Sequence, residues 1–129
     1  MKLKHIYKVL ELNRYATDNK LSIVGGAGKL LSYFVKKYNP AKIYSFADLR
    51  YTDKNNNLYE KLGFELTNTL GPDYFYMKGY KKRLYKFQFS KRDLVRQGFD
   101  PNMSEWEIMK SRGYDRIWDC GKLKYQIKL

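Results

Sequence analysis

Three groups of residues have types and spacings that could do chemistry. The first is the turn Val24-Gly25-Gly26-Ala27-Gly28-Lys29. A glycine-rich turn that opens a helix presents backbone N–H groups and the positive end of the helix dipole, which suits an anion such as a pyrophosphate. The same glycines also suit a tight turn that holds nothing. Neither G-x-G-x-x-G nor the Walker lysine pattern is present, so neither common nucleotide fingerprint applies. The second group is the basic, aromatic stretch from Lys78 to Arg96: Lys78, Lys81, Lys82, Arg83, Lys86, Lys91, Arg92 and Arg96, with Tyr80 and Tyr85 among them and Asp93 the one acid. Such cations neutralise phosphates, and exposed rings can stack on an extruded or single-stranded base. Charge alone gives non-specific affinity, while base specificity is not legible from it. Lysines on a solvated edge strand are the competing explanation. The third group is acidic. Asp48, Asp53, Glu60 and Glu65 could hold a divalent cation, but no D…E-x-K spacing joins them. His5 is the only histidine, which excludes an HNH-type metal site, and no GIY…YIG pair is visible. No metal is expected.

The elements that must position these groups form a βαβα unit between Leu10 and Phe64. Apolar Ile6, Val9, Leu10 and Leu12 among lysines favour a strand over residues 5–15, with a helical turn as the competing assignment. From Gly26 to Tyr38, Ala27, Leu30, Leu31, Phe34 and Val35 recur at three and four, one face of a helix; Asn39-Pro40 stops it. Ala41–Ala47 is a nearly continuous apolar run, as expected of a buried central strand parallel to its predecessor. Asp48–Asn57 is charged and Asn-rich, an exposed loop at the end of a parallel strand, where open α/β sheets place their sites. Leu58–Leu62 makes one or two helical turns before Gly63, a natural C′ residue.

Downstream, Phe64–Leu66 and Tyr74–Lys78 read as a hairpin-like pair. Arg83–Phe89 alternates, with Tyr85, Phe87 and Phe89 on one side, and predicts a half-buried antiparallel strand. Ser90-x-x-Asp93 and Ser104-x-x-Glu107 have the form of capping boxes and open two short helices, ended by Gly98 and Gly113. The tail reads as two strands, Arg116–Trp118 and Leu123–Ile127, around Asp119–Lys122. The expected division is a core over residues 1–89 and a small basic helix-hairpin extension over residues 90–129, packed as one domain. The fold class is α/β (α+β) with a mixed sheet.

At 129 residues the chain is of single-domain length. Its 26 Lys+Arg against 13 Asp+Glu give a net charge of +13, more than solubility requires of a small domain. The field attracts polyanions. A nucleic acid is therefore the expected partner, DNA first among them. Cys120 is the only cysteine, which excludes an intrachain disulfide and thiolate zinc clusters. No run approaches the roughly 20 apolar residues of a membrane span, and Met1–His5 has no signal-peptide core. A cytoplasmic protein without membrane contact is expected. Frequent Lys, Asn, Tyr and Ile suit an AT-rich genome such as a phage's.

The order of the pieces carries a resemblance. Val24-Gly25-Gly26-Ala27-Gly28-Lys29-Leu30-Leu31, a strand, and then Leu58-Tyr59-Glu60-Lys61-Leu62-Gly63-Phe64 resemble the core of the GNAT acyltransferase fold. Glu11-Leu12-Asn13-Arg14 and Ser45-Phe46-Ala47-Asp48 resemble the Glu-Leu-x-Arg and Ser-Tyr-Ala-Asp segments of the Mom family of phage DNA-modification proteins, which are GNAT-like. Pro72-Asp73-Tyr74-Phe75-Tyr76, Ser104-Glu105-Trp106-Glu107 and Arg116-Ile117-Trp118-Asp119-Cys120-Gly121 resemble segments of an accessory domain in phage proteins related to homing endonucleases. The GNAT likeness implies that Val24–Lys29 holds the pyrophosphate of acetyl-CoA or another acyl-CoA. It also implies a catalytic pair: Asp48 orienting or deprotonating a substrate amine, Tyr59 protonating a leaving thiolate. The plainer reading is that Asp48 caps a loop and Tyr59 packs against Phe64.

Two functions follow from the resemblance. One is a DNA-binding protein that modifies a nucleobase by group transfer. The other is a DNA-recognition module without catalysis. An ordinary N-acetyltransferase is a third, for which +13 has no use. Ser22, where the acyltransferase turn begins with Gln or Arg, and the absence of the early strands of that fold favour the module. Asp48 and Tyr59 favour the enzyme.

Overall fold

The computed structural model describes residues 8–129. Within them the chain is mixed α+β, with two sheets and four α-helices, divided into two compact units. The first comprises residues up to Gly71 together with Gly121–Leu129; the second is Pro72–Cys120. Residues 72–89, expected with the core, thus belong to the second unit, and residues 121–129, expected in the extension, belong to the first.

In the first unit, strand β1 (Val9–Glu11), helix α1 (Gly26–Tyr38), strand β2 (Lys42–Asp48) and helix α2 (Leu58–Lys61) follow in the anticipated order. Strand β3 (Glu65–Leu70) comes next, and β4 (Tyr74–Met77), β5 (Arg83–Tyr85), α3 (Lys91–Arg96), α4 (Glu105–Ser111) and β6 (Asp115–Trp118) build the second unit. The last strand, β7 (Lys122–Lys128), returns to the first. Of the expected strand over residues 5–15, residues 5–7 lie outside the described part, and of the rest only Val9–Glu11 is strand. The first sheet has the order β1-β2-β7-β3. β1 and β2 are parallel, as expected, and β7 is antiparallel to both β2 and β3.

Alternation along the strands sets the two faces of this sheet. Ile43, Ser45 and Ala47 of β2 register with Ile127, Tyr125 and Leu123 of β7, and Ile43, Ala47, Leu123 and Tyr125 form the core with Phe64. Leu31, Phe34 and Val35 of α1 and Tyr59 of α2, with Leu62 just after it, pack on that face. Asn39 ends α1 in the left-handed conformation, its N–H bonded to the Val35 carbonyl, before Pro40 removes the next donor. α2 depends on Asn57, whose Oδ1 accepts the N–H groups of Tyr59 and Glu60 while its Nδ2 donates to Tyr125 Oη at 2.7 Å. Expected in an exposed loop, Asn57 is buried instead, because one side chain caps a helix and satisfies a core phenol.

The two anticipated hairpins do not form. β3 pairs with β7, not with β4, and β6 pairs with β4, not with β7. Leu123 and Tyr125, both fully buried, explain why β7 occupies the interior of the first sheet. In the second unit the order is β5-β4-β6, all antiparallel. One face of this sheet packs Tyr76 with Leu94 of α3 and Ile108 and Met109 of α4. The expected strand over 83–89 ends at Tyr85 and passes into a 3-10 turn, Lys86–Phe89. Ser90 caps α3, its Oγ accepting the Asp93 N–H, and Ser104 and Glu107 form the reciprocal capping box of α4. No described helix is long and apolar enough to cross a membrane.

Candidate functional site

The turn before α1 opens the helix without a side-chain cap. Gly25 is the N-cap residue with φ 68°, a left-handed conformation that favours glycine. The Gly26 N–H turns back to the Ile23 carbonyl at 3.3 Å; among the described residues no side chain caps the helix, and no acid lies in its first turn. Lys29 shares an open depression with Gly25, Gly28, Ser32, Tyr33 and Lys36. Gly26 has a structural reason of its own. A Cβ there would meet Ile23 Cγ2 at 2.9 Å and the Tyr15 hydroxyl at 3.3 Å. Ala27 packs inward, at the wall of a cavity of about 260 Å³. That cavity lies between α1, the segment leaving β1 and the region of α2, with Leu30, Phe34 and Leu62 as apolar lining and Glu11 and Arg14 as polar groups. Val24 is exposed.

Asp48 and Tyr59 do not meet in one cleft. Tyr59 stacks on Tyr125 at 5.1 Å between ring centroids and meets Phe64 edge-on. Its hydroxyl shares a 3.1 Å hydrogen bond with Ser45 Oγ, which itself donates to the Leu12 carbonyl at 2.6 Å. Ser45 is on the helix-covered face of β2. Asp48, of opposite parity, belongs with Tyr44 and Phe46 on the other face. There it is exposed, and its Oδ1 accepts the Arg50 N–H at 2.9 Å. The catalytic pair implied by the GNAT resemblance is therefore not assembled, because strand alternation turns Asp48 away from the face that Tyr59 covers.

The basic stretch is divided as well. Arg83 and Tyr85 lie on the face of the β5-β4-β6 sheet away from Tyr76, beside Phe75, whose ring the Arg83 guanidinium covers at 5.4 Å. The loop before them carries Tyr80, 98% exposed, with Lys81 and Lys82. Lys86 turns elsewhere. Its Nζ lies 2.6 Å from Asp73 Oδ1 and 5.0 Å from the Tyr74 ring centre, and the hydrogen bond to Asp73 raises its pKa. Lys78 rests over Tyr114. Lys91, Arg92 and Arg96 ride on α3, the two arginines 3.8 and 3.7 Å from Asp93. Among the described residues, no three His, Cys, Asp or Glu side chains cluster as metal ligands would.

Sequence reasoning missed a polar cluster in the second unit. Glu105 Oε1 accepts the hydroxyls of Tyr74 at 3.0 Å and Tyr76 at 2.8 Å. The Arg116 guanidinium lies against Tyr74 and Trp106, at 4.4 and 4.5 Å from the ring centres. The Glu105 and Arg116 segments were visible as motifs; their convergence was not, because it depends on the β4–β6 register. Burial first, then the hydrogen bond to Glu105, raises the pKa of both phenols, Tyr76 far above the ordinary tyrosine value. With folded-state values raised, the unfolded chain loses these protons first as pH rises. The stabilisation is therefore intact below about pH 10 and lost above it. Urea unfolding midpoints are expected to fall above that pH, and Tyr76→Phe to flatten the fall while lowering stability at neutral pH by about 1 kcal/mol. An unchanged alkaline slope in the variant would contradict this origin.

Comparison of the chain with protein-family models, with curated proteins and with solved structures returns no match.

Proposed function

We propose that the chain is a DNA-binding protein of phage type whose first unit is a GNAT-like core. The observation that carries the binding function is the uncovered face of the second sheet. Arg83, Tyr85 and Phe75 share that face, next to a loop bearing Tyr80, Lys81 and Lys82. Cations gathered on and beside one exposed face, on a chain of net charge +13, suit the phosphate backbone of a duplex. The order β1, glycine turn, α1, parallel β2, α2 supports the GNAT-like likeness. Recognition without catalysis is favoured, since Asp48 and Tyr59 occupy opposite faces of β2. The test is the affinity for duplex DNA as a function of salt, followed by fluorescence anisotropy. A steep linear fall of log affinity with log salt is expected; affinity that ignores salt would sink the proposal.

One observation favours a second reading, group transfer from an acyl-CoA to DNA. The uncapped N-terminus of α1 and the 260 Å³ cavity beside it would take a pyrophosphate and an apolar arm. Millimolar CoA is then expected to raise the melting temperature, because a ligand that binds only the folded state stabilises it. Gly26→Val is a poor control, since its side chain would displace the turn. Gly28→Asp is better. A Cβ at Gly28 meets only Leu62 Cδ2 at 3.9 Å, and an acid in the first turn favours the helix while repelling phosphate. The variant should fold and lose the CoA response. No shift in the wild type leaves recognition alone standing.

A further inference from the structure

The uncovered face of the first sheet has a chemistry that the functions above do not use. β2 and β7, the two interior strands, turn Lys42, Tyr44 and Phe46 and, opposite them, Lys128, Gln126 and Lys124 to this side. Helices α1 and α2 both lie on the other face. Phe46 remains 38% exposed although it belongs to an interior strand. The Tyr44 and Phe46 rings stand edge to face, 5.9 Å apart at 82°. Lys124 Nζ lies 5.3 Å from one ring centre and 5.8 Å from the other. The acids of this face are at its margins: Glu11 and Glu65 on the edge strands β1 and β3, and Asp48 at the last position of β2. The Glu11 carboxylate accepts the Tyr44 hydroxyl at 3.3 Å, and its negative charge raises the Tyr44 pKa. The centre of the face is thus aromatic and cationic.

A polyanion with flat apolar rings matches that centre in charge and in shape. Rings held perpendicular cannot both lie parallel to one continuous base stack. Each can take a separate base from a splayed strand, while Lys42, Lys124 and Lys128 meet the phosphates between them. In a duplex the bases are paired and stacked and do not reach a sheet face. We infer that the Tyr44–Phe46 face binds an unpaired DNA strand, one base on each ring. This rests on the DNA-binding proposal, but on residues of a different unit from those that carry it.

The experiment titrates labelled oligothymidine and a labelled duplex against the full chain. Tyr44→Ala and Phe46→Ala are each expected to weaken oligothymidine binding about tenfold and to leave duplex affinity within twofold. Tyr44→Phe, which keeps the ring and drops the bond to Glu11, should retain single-strand affinity. Lys81, Lys82 and Arg83 together changed to serine should show the reverse pattern, losing duplex first. A wild type that binds duplex but not oligothymidine overturns this inference and leaves the DNA-binding proposal standing. One that binds neither overturns both. If Phe46→Ala instead converts a dimer to a monomer in sedimentation, the face is a self-association surface and the inference fails. Melting temperatures confirm that each variant is folded.

Discussion

Changing Lys81, Lys82 and Arg83 together to serine is expected to cut duplex affinity on the order of a hundredfold or more near 0.1 M salt. The slope of log affinity against log salt should fall by about three, one for each phosphate no longer neutralised. These three lie together at or beside the uncovered face of the second sheet. Lys81 and Lys82 are exposed in the loop before β5, and Arg83 lies on the uncovered face with Phe75 and Tyr85. Lys86, which adjoins them in sequence, is engaged with Asp73 at 2.6 Å. Its replacement should cost at most about 1 kcal/mol of stability, as for a half-exposed ion pair, and leave the salt slope nearly unchanged. An equal loss of slope from Lys86→Ser would mean that the ion pair opens on DNA and that the uncovered face is not the determinant. A wild-type slope near zero would remove the electrostatic footing altogether.

That contrast also shows what the sequence discloses. Eight cations within nineteen residues point to a polyanion, but not to which of them share a face. A turn at Lys86 separates neighbours that a continuous strand would have alternated regularly. The same limit applies to Asp48 and Tyr59. Each lies on the element expected of it, at the end of β2 and in α2. Whether they converge depends on strand parity and on what the Tyr59 hydroxyl finds, which is Ser45. Local signals served well where the determinant is local. The three-four spacing of Leu30, Leu31, Phe34 and Val35, and the Ser104–Glu107 box, each specify a helix through neighbours within a turn or two.

Strand partners are another matter. A period of two says which side chains of Lys122–Lys128 are apolar, and says nothing of a partner some eighty residues earlier. A terminal hairpin is the shortest connection compatible with the pattern. The fold instead sends β6 and β7 to different sheets, and the alternation of Leu123 and Tyr125 becomes intelligible only once β2 lies beside β7. Asn57 belongs here too, since its buried role requires Tyr125 from the far end of the chain.

The chain's return to β7 passes through Gly121, and the largest stability effect is expected there. Gly121 has φ 90°, a conformation costly for any residue with a Cβ. A Cβ would also lie 2.6 Å from the Leu70 carbonyl oxygen and 3.2 Å from Leu49 Cδ1. The oxygen is backbone of β3, so it cannot swing aside without disturbing the β3–β7 ladder. The Gly121 carbonyl, meanwhile, accepts the Leu49 N–H at 3.1 Å and holds the end of β2 in place. Strain and collision act together, and Gly121→Ala is expected to cost about 3 kcal/mol or more, a large part of the total for a small domain. Two other glycines separate the contributions. Gly98 has φ 101° with open space around its Cβ direction, so Gly98→Ala should cost about 1 kcal/mol from conformation alone. Gly71 has neither a positive φ nor a neighbour within 4 Å, and Gly71→Ala should be neutral or slightly stabilising by restricting the unfolded chain. Urea unfolding of the three variants reads the series directly. A Gly121→Ala loss no greater than that of Gly98→Ala would mean that β3 yields readily to β7, and that the interior position of β7 is held by its side chains rather than by the backbone at its entry.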